Sequence, residues 1–282
     1  MTHPISETSL FRNPGGILED IAKNKLVEVR DARHSVPVSR LEETEMFSRP
    51  CYSLRDFMLA ADRTGIIAEF KRASPSKGTI NSTADVSVVT SSYAAAGASA
   101  LSVLTDRKFF GGSVADLVEA RASNTIPVLR KEFILDEYQI IEAKAIGADI
   151  ILLIASILRP VAVARFARLA KSIGLNVLLE VHNLAELEES ICADVDAVGV
   201  NNRNLSDFSV SVQHSFDLVS KIPSEFLKVS ESGISNPGII LELKRAGYDG
   251  FLIGENFMKQ DEPGAAMKAF CMELEKLQGE GY

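Results

Sequence analysis

A chain of 282 residues, 46% hydrophobic and 24% charged, has the composition of a folded globular protein and enough length for one barrel-sized domain with no covalent staple. A net charge of −8 disfavours nonspecific nucleic-acid binding, because a polyanion is repelled. Three widely spaced cysteines (Cys51, Cys192, Cys271) and four scattered histidines (His3, His34, His182, His214) offer neither a disulfide framework nor a metal-binding pair, no apolar run reaches a membrane span, and the opening stretch 1–7 lacks the basic and apolar regions of a secretory signal, so a cytoplasmic location without a membrane partner is expected.

Residues 1–65 precede any strand pattern and are read as an N-terminal helical extension over a barrel formed by 66–282. Within them, 16–33 carries apolar residues at helical spacing, Ile17, Ile21 and Val29 among them, and about 53–62 reads as a second helix. The extension is either a plain cover or a lid over the barrel mouth. From Ile66 onward, apolar runs recur at 66–70, 100–104, 127–130, 149–154, 176–181, 197–201, 227–230 and 250–254. They are continuous rather than alternating, the mark of parallel strands buried on both faces. Helical patterns fill the gaps at about 84–96, 113–123, 137–146, 160–173, 184–192, 211–221, 236–246 and 263–277. Gly97, Gly147, Gly174 and Gly247 follow helical patterns, where a left-handed glycine ends a helix, and Pro160 sits where a helix begins. Eight βα units predict an α/β fold, a single (βα)8 TIM barrel; an open doubly wound sheet is the alternative.

Barrels of this kind build their active sites from strand C-termini and the loops that follow. The first run ends Glu69-Phe70-Lys71, with Glu69 and Lys71 pointing to the same side. The third ends Leu129-Arg130-Lys131, the fifth Leu179-Glu180, the sixth Asn201-Asn202-Arg203 and the seventh Ser230-Glu231. A charge at one strand end is ordinarily a solvated charge. Closure of a barrel, however, brings all these ends to one mouth, and cations gathered there in an acidic protein point to an anionic substrate. Lysine and glutamate in proximity can tune each other's pKa and divide acid and base roles. Glu231-Ser232-Gly233 after the seventh run and Gly254-Glu255-Asn256 after the eighth place glycines where barrels commonly bind phosphate through backbone N–H groups. Ser74-Pro75-Ser76-Lys77-Gly78, directly after the first run, is a candidate substrate-binding loop.

The ordered series 66–78 (IIAEFKRASPSKG), 102–106 (SVLTD) with 109–113 (FFGGS), 127–134 (PVLRKEFI), 179–182 (LEVH), 201–205 (NNRNL) and 231–234 (ESGI) resembles the indole-3-glycerol-phosphate synthase family, across the whole barrel and the 17–33 helix. Two departures stand out: Glu132 where the family commonly has aspartate, and Asn256 where serine or alanine is frequent. The resemblance implies a carboxy-lyase of tryptophan biosynthesis. Its substrate is a phosphorylated small molecule, 1-(2-carboxyphenylamino)-1-deoxyribulose 5-phosphate, and it uses neither metal nor organic cofactor. It further implies Lys131 as general acid, and Glu180 and Glu69 for dehydration and proton transfers. Lys71, Ser74, Asn201, Arg203, Glu231 and Ser232 would contact substrate, and the phosphate would sit on Gly233, Gly254 and Glu255. Phe109 and Phe133 are candidates to pack on the anthranilate ring. A lysine acid works best with its pKa lowered toward neutrality, which desolvation, Lys71 and Arg203 favour and the glutamates oppose. The alternatives are another phosphate-binding barrel of isomerase or aldolase type and a non-catalytic barrel that binds a partner.

Overall fold

Runs of valine, leucine and isoleucine without polar alternation need cover on both faces, and they obtain it by closing on one another. The computed structural model describes residues 10–204 and 207–280; His3, the opening stretch 1–7 and Leu205 lie outside them. Its barrel strands are β1 (Ile66–Phe70), β2 (Ala100–Leu104), β3 (Val128–Lys131), β4 (Ile150–Ile154), β5 (Asn176–Val181), β6 (Ala197–Asn201), β7 (Leu227–Glu231) and β8 (Gly250–Ile253). Each pairs in parallel with its sequence neighbours, and β1 closes the barrel against β8 through Ile66↔Phe251 and Ala68↔Ile253. The chain is therefore a (βα)8 TIM barrel, not an open sheet.

Helices alternate with the strands, among them Val86–Ala95, Val114–Ala122, Glu137–Ala145, Pro160–Ser172, Pro237–Ala246 and Pro263–Gly279. Asp85, Ser113, Asp136, Asn183 and Asn236 each cap a helix start through the side chain, accepting a backbone N–H two or three residues on. Two helices are shorter than the pattern predicts. Leu184–Ser190 stops before Cys192, and 211–221 resolves into Gln213–Leu218 followed by a 3-10 turn at Val219–Lys221. Pieces of four or five residues, such as Val38–Glu42, Arg107–Phe110 and Glu255–Met258, are too brief to show a period. The loop after β1 folds into a small antiparallel hairpin, Ala73–Ser74 against Gly78–Thr79.

The N-terminal segment touches both ends of the barrel. Helix Gly16–Ser35 buries Leu18, Ile21, Lys25 and Val29 on one stripe. Lys25 is 4% exposed and pairs with Asp106 (2.9 Å) and Glu132 (3.0 Å), which follow β2 and β3 at the mouth. Helix Leu54–Leu59, shorter than the expected 53–62, lies at the other end. Buried Met58 packs where a Cβ on Gly250, the first residue of β8, would meet it at 2.9 Å. Between the two helices, Arg49 and the Tyr52 N–H bind the fully buried Asp149 ahead of β4, at 2.7 and 2.9 Å. Among the described residues, no helix is long and apolar enough to cross a membrane.

Candidate active site

Strand parity decides which charges face inward. Arg130 points outward and pairs with Glu142 at 2.6 Å on the helix outside. Lys131, one residue later, points into the barrel, where its Nζ lies 3.0 Å from Glu180 Oε2 and 2.8 Å from Glu231 Oε2. Glu180 is held at both oxygens, because its Oε1 accepts from Asn201 Nδ2 at 3.2 Å. Asn201 is held in turn by the backbone N–H of Arg203, donated to its Oδ1 at 3.0 Å. Beside them, Glu69 pairs with Lys71 (2.8 Å) and accepts from Ser102 Oγ (3.4 Å). Three buried carboxylates thus share two lysines.

These side chains line a cleft of about 140 Å³, together with Ser74, Arg203, Ser232 and Glu255. Its apolar wall is Ile17, Leu18 and Ile21 of the N-terminal helix with Leu104, Phe110 and Phe133. The two phenylalanine rings stand 5.8 Å apart. Phe109, a candidate either for the anthranilate ring or for ordinary core packing, is absent from that wall and packs against the core; Phe110 lines the cleft instead, since Arg107–Phe110 is a helical turn that sends adjacent side chains in different directions. A second cavity of about 490 Å³ adjoins the cleft and is lined by Gly233, Gly254, Glu255, Lys77, Arg203 and Lys259. All twelve residues singled out from the sequence therefore border one or both cavities.

Glycines make the close approaches possible. A Cβ on Gly254 would stand 2.5 Å from Glu69 Oε1, and one on Gly199 of β6 would collide with the carboxylate of Glu231. Gly254 is a phosphate-binding candidate from the sequence, and its missing side chain also makes room for Glu69. Ser232 and Gly233 both have left-handed φ, 68° and 77°, a costly conformation for serine that is found preferentially at functional turns.

The electrostatics decide a balance that the sequence left open. Burial disfavours the charge on Lys131, but Glu180, Glu231 and Glu69 outweigh it and hold its pKa above the ordinary value rather than lowering it. Burial also opposes charge on Glu180; Lys131, His182 and Asn201 overcome it and keep this carboxyl well below its usual range. Glu231 goes the other way, pushed up to about 7 by burial and by Glu180 and Glu69, against the pull of Lys131. The environments of the two glutamates differ because Asn201 and His182 serve Glu180, whereas Glu231 Oε1 has no hydrogen-bond partner. Among the described residues, no cluster of His, Cys, Asp and Glu is disposed to hold a metal ion.

A profile of the family described as indole-3-glycerol phosphate synthase matches residues 18–270. The chain belongs to that family. The indole-3-glycerol phosphate synthase of Bacteroides thetaiotaomicron is 45% identical over 259 residues, covering 92% of this chain and 99% of its own. That of Burkholderia vietnamiensis is 44% identical over 257 residues, covering 89% and 97%. Membership makes the chain a carboxy-lyase of tryptophan biosynthesis, acting on a phosphorylated small molecule. Among solved structures, a 3-hexulose-6-phosphate synthase (TM-score 0.58, 14% identity, 74% of this chain and 99% of that one) shares the fold. So does a mutant tryptophan synthase alpha-subunit from Pyrococcus furiosus (TM-score 0.56, 16% identity, 75% and 98%).

Both departures from the indole-3-glycerol phosphate synthase pattern have local roles. Glu132 accepts from Thr105 (2.7 Å) and pairs with Lys25, so its longer side chain ties the N-terminal helix to the mouth. Asn256 donates to the Ser235 carbonyl at 3.2 Å, joining the loops after β7 and β8. Sequence reasoning missed Lys25, which looked like one more solvated lysine beside Lys23. The N-terminal extension, read as either a plain cover or a lid over the mouth, does place Ile17, Leu18 and Ile21 on the cleft, although the sequence did not single out Leu18.

Proposed function

We propose that this chain closes the indole ring of 1-(2-carboxyphenylamino)-1-deoxyribulose 5-phosphate, with Lys131 as the general acid. The observation that carries the assignment is the ammonium of Lys131 held between Glu180 and Glu231 at the wall of a half-apolar cleft. A lysine kept protonated by carboxylates has its proton in place at neutral pH. It hydrogen-bonds the C2′ carbonyl oxygen and takes the charge that develops there as the ring carbon attacks. The new carbon–carbon bond forms at the carbon bearing the carboxylate, which leaves as carbon dioxide and restores an enamine. The C2′ oxygen then departs as water, with Glu180 and Glu69 carrying the protons.

The apolar wall of Phe110, Phe133 and the N-terminal helix suits the aromatic ring. In this reading the segment 1–65 is an extension to the barrel, and its helix Gly16–Ser35 completes the cleft. Asn201, Arg203 and Ser74 orient the chain of the sugar, and Lys71 faces the substrate anions. The phosphate takes the adjoining cavity, on backbone N–H groups of Gly233, Gly254 and Glu255 beside Ser232, with Arg203 and Lys77 at its rim. No metal or organic cofactor enters this scheme, and the compartment proposed is the cytoplasm.

The test is to mix purified protein with the carboxyphenylamino-deoxyribulose phosphate and follow indole fluorescence. Folded protein that leaves good substrate unchanged overturns the reading.

A further inference from the structure

His182, two residues beyond Glu180 at the end of β5, has no part in the scheme above. Its side chain is largely buried, and it stands between two carboxylates. Nδ1 lies 3.2 Å from Glu186 Oε2, and Nε2 lies 3.6 Å from Glu180 Oε1. Glu186 is fixed on the helix Leu184–Ser190; its Oε2 also accepts the backbone N–H of His182 at 2.8 Å, and its Oε1 accepts from Asn183 at 3.1 Å. Nε2 is buried and has no hydrogen-bond partner; Glu180 Oε1, at 3.6 Å, faces it as a charge beyond hydrogen-bond distance.

A neutral imidazole has one N–H and one lone pair. With the proton on Nδ1, the lone pair of Nε2 would face Glu180; with the proton on Nε2, the lone pair of Nδ1 would face Glu186. Either tautomer sets a lone pair against a carboxylate. Only the doubly protonated ring presents a donor to both. Glu231 of β7, once ionised, also favours charge on the ring, and the catalytic cation Lys131 of β3 is bonded to the other oxygen of Glu180. Burial works against charge on the ring, but Glu186, Glu180 and Glu231 outweigh it, and the pKa is raised.

We infer that His182 is a positioning residue, an imidazolium clamped by Glu186 that keeps Glu180 ionised and aimed when Lys131 gives up its proton. The need arises from the chemistry. Glu180 leans on Lys131 for its charge, and that support vanishes at the step in which Lys131 acts as an acid. His182 supplies a second cation that does not touch the substrate.

The inference rests on the roles proposed for Lys131 and Glu180, but its first test does not. Nitrogen-15 NMR of ring-labelled histidine, with the His182 signal assigned by its loss in His182→Gln, should show both ring nitrogens protonated at pH 7. Glu186→Gln should lower the midpoint of that titration. A ring that is neutral at pH 7 overturns the inference whatever the kinetics show. The second test is kinetic. Glu186→Gln and His182→Gln should each reduce kcat roughly 10-fold, the scale of one hydrogen bond to a charged group, with KM nearly unchanged and the acid limb of kcat moved to higher pH. Profiles that superpose on the wild type, or losses that merely follow the melting temperature, overturn it. Glu180→Gln provides the control: full turnover in that variant would sink the role of Glu180 itself and leave the NMR result standing.

Discussion

The carboxylate of Glu231 fills the space in which a Cβ on Gly199 would stand, one strand away in the barrel wall. Glu231 can therefore meet Lys131 only because residue 199 has no side chain. A glycine in the middle of a strand, where it weakens the ladder, is explained by the approach of a functional group.

Gly199→Ala should accordingly damage the site more than the fold. Overpacking of this kind costs about 1–3 kcal/mol. Thermal melts should register that loss, while kcat at a temperature where the variant is fully folded should fall further than KM changes. Full activity would show that Glu231 can leave Lys131 without consequence.

Lys131→Ala removes the acid and leaves Glu180 and Glu231 facing each other with no cation between them. Turnover should drop at least ~100-fold, the lower range for general acid catalysis. Steady-state rates on a variant shown by circular dichroism to be folded decide the matter, and near-normal turnover would remove the lysine from the mechanism.

The pH dependence of stability should report Glu231. Burial lifts its pKa from an ordinary 4.5 to about 7, with Glu180 and Glu69 adding to the rise and Lys131 offsetting it. Between those values the folded protein holds a proton that the unfolded chain has released. Its contribution to stability is thus fully present below about pH 4.5 and is lost as the pH rises from there through about 7. Glu231→Gln abolishes that titration, so the wild type should lose melting temperature relative to the variant from about pH 5 to about pH 8. Parallel curves would mean that Glu231 is ionised throughout.

Lys25→Met tests the tie between the N-terminal helix and the mouth. It strands Asp106 and Glu132 as buried carboxylates without their ammonium, a loss of about 3–5 kcal/mol for a broken buried pair. Amide exchange across 16–35 should accelerate and KM should rise, because Ile17, Leu18 and Ile21 line the cleft. Unchanged exchange in that helix would locate its anchorage elsewhere.

Much of the barrel and its charged rim could be read from the chain because strands impose a period of two. Once Leu129, Leu178 and Val229 are inside, Lys131, Glu180 and Glu231 must be inside as well, and Arg130 outside. The same rule has no grip on short helical turns, which is why Phe110 and not Phe109 reached the cleft. Nor does it say which of several opposing electrostatic effects wins. Desolvation and neighbouring cations favour a lowered Lys131 pKa and the glutamates oppose it; two carboxylates within 3.0 Å settle the balance upward, since at that range their attraction exceeds the influence of more distant charges. Lys25 and His182 escaped notice because their partners come from distant or merely nearby positions with no repeating interval.

The N-terminal segment has one more consequence, for the order in which the molecule is made. Residues 16–59 are synthesised before the groups that hold them, among them Asp106, Glu132, Asp149, Asn176, Glu225 and Gly250. The segment cannot dock fully until the chain has been extended to the beginning of β8. Until then its apolar stripe of Leu18, Ile21 and Val29 is a nascent amphipathic helix without a complete seat. Assembly of the mouth and the floor is thereby tied to the late part of the chain, and a truncation before β8 would release a barrel fragment whose Leu54–Leu59 helix lacks its seat on Gly250.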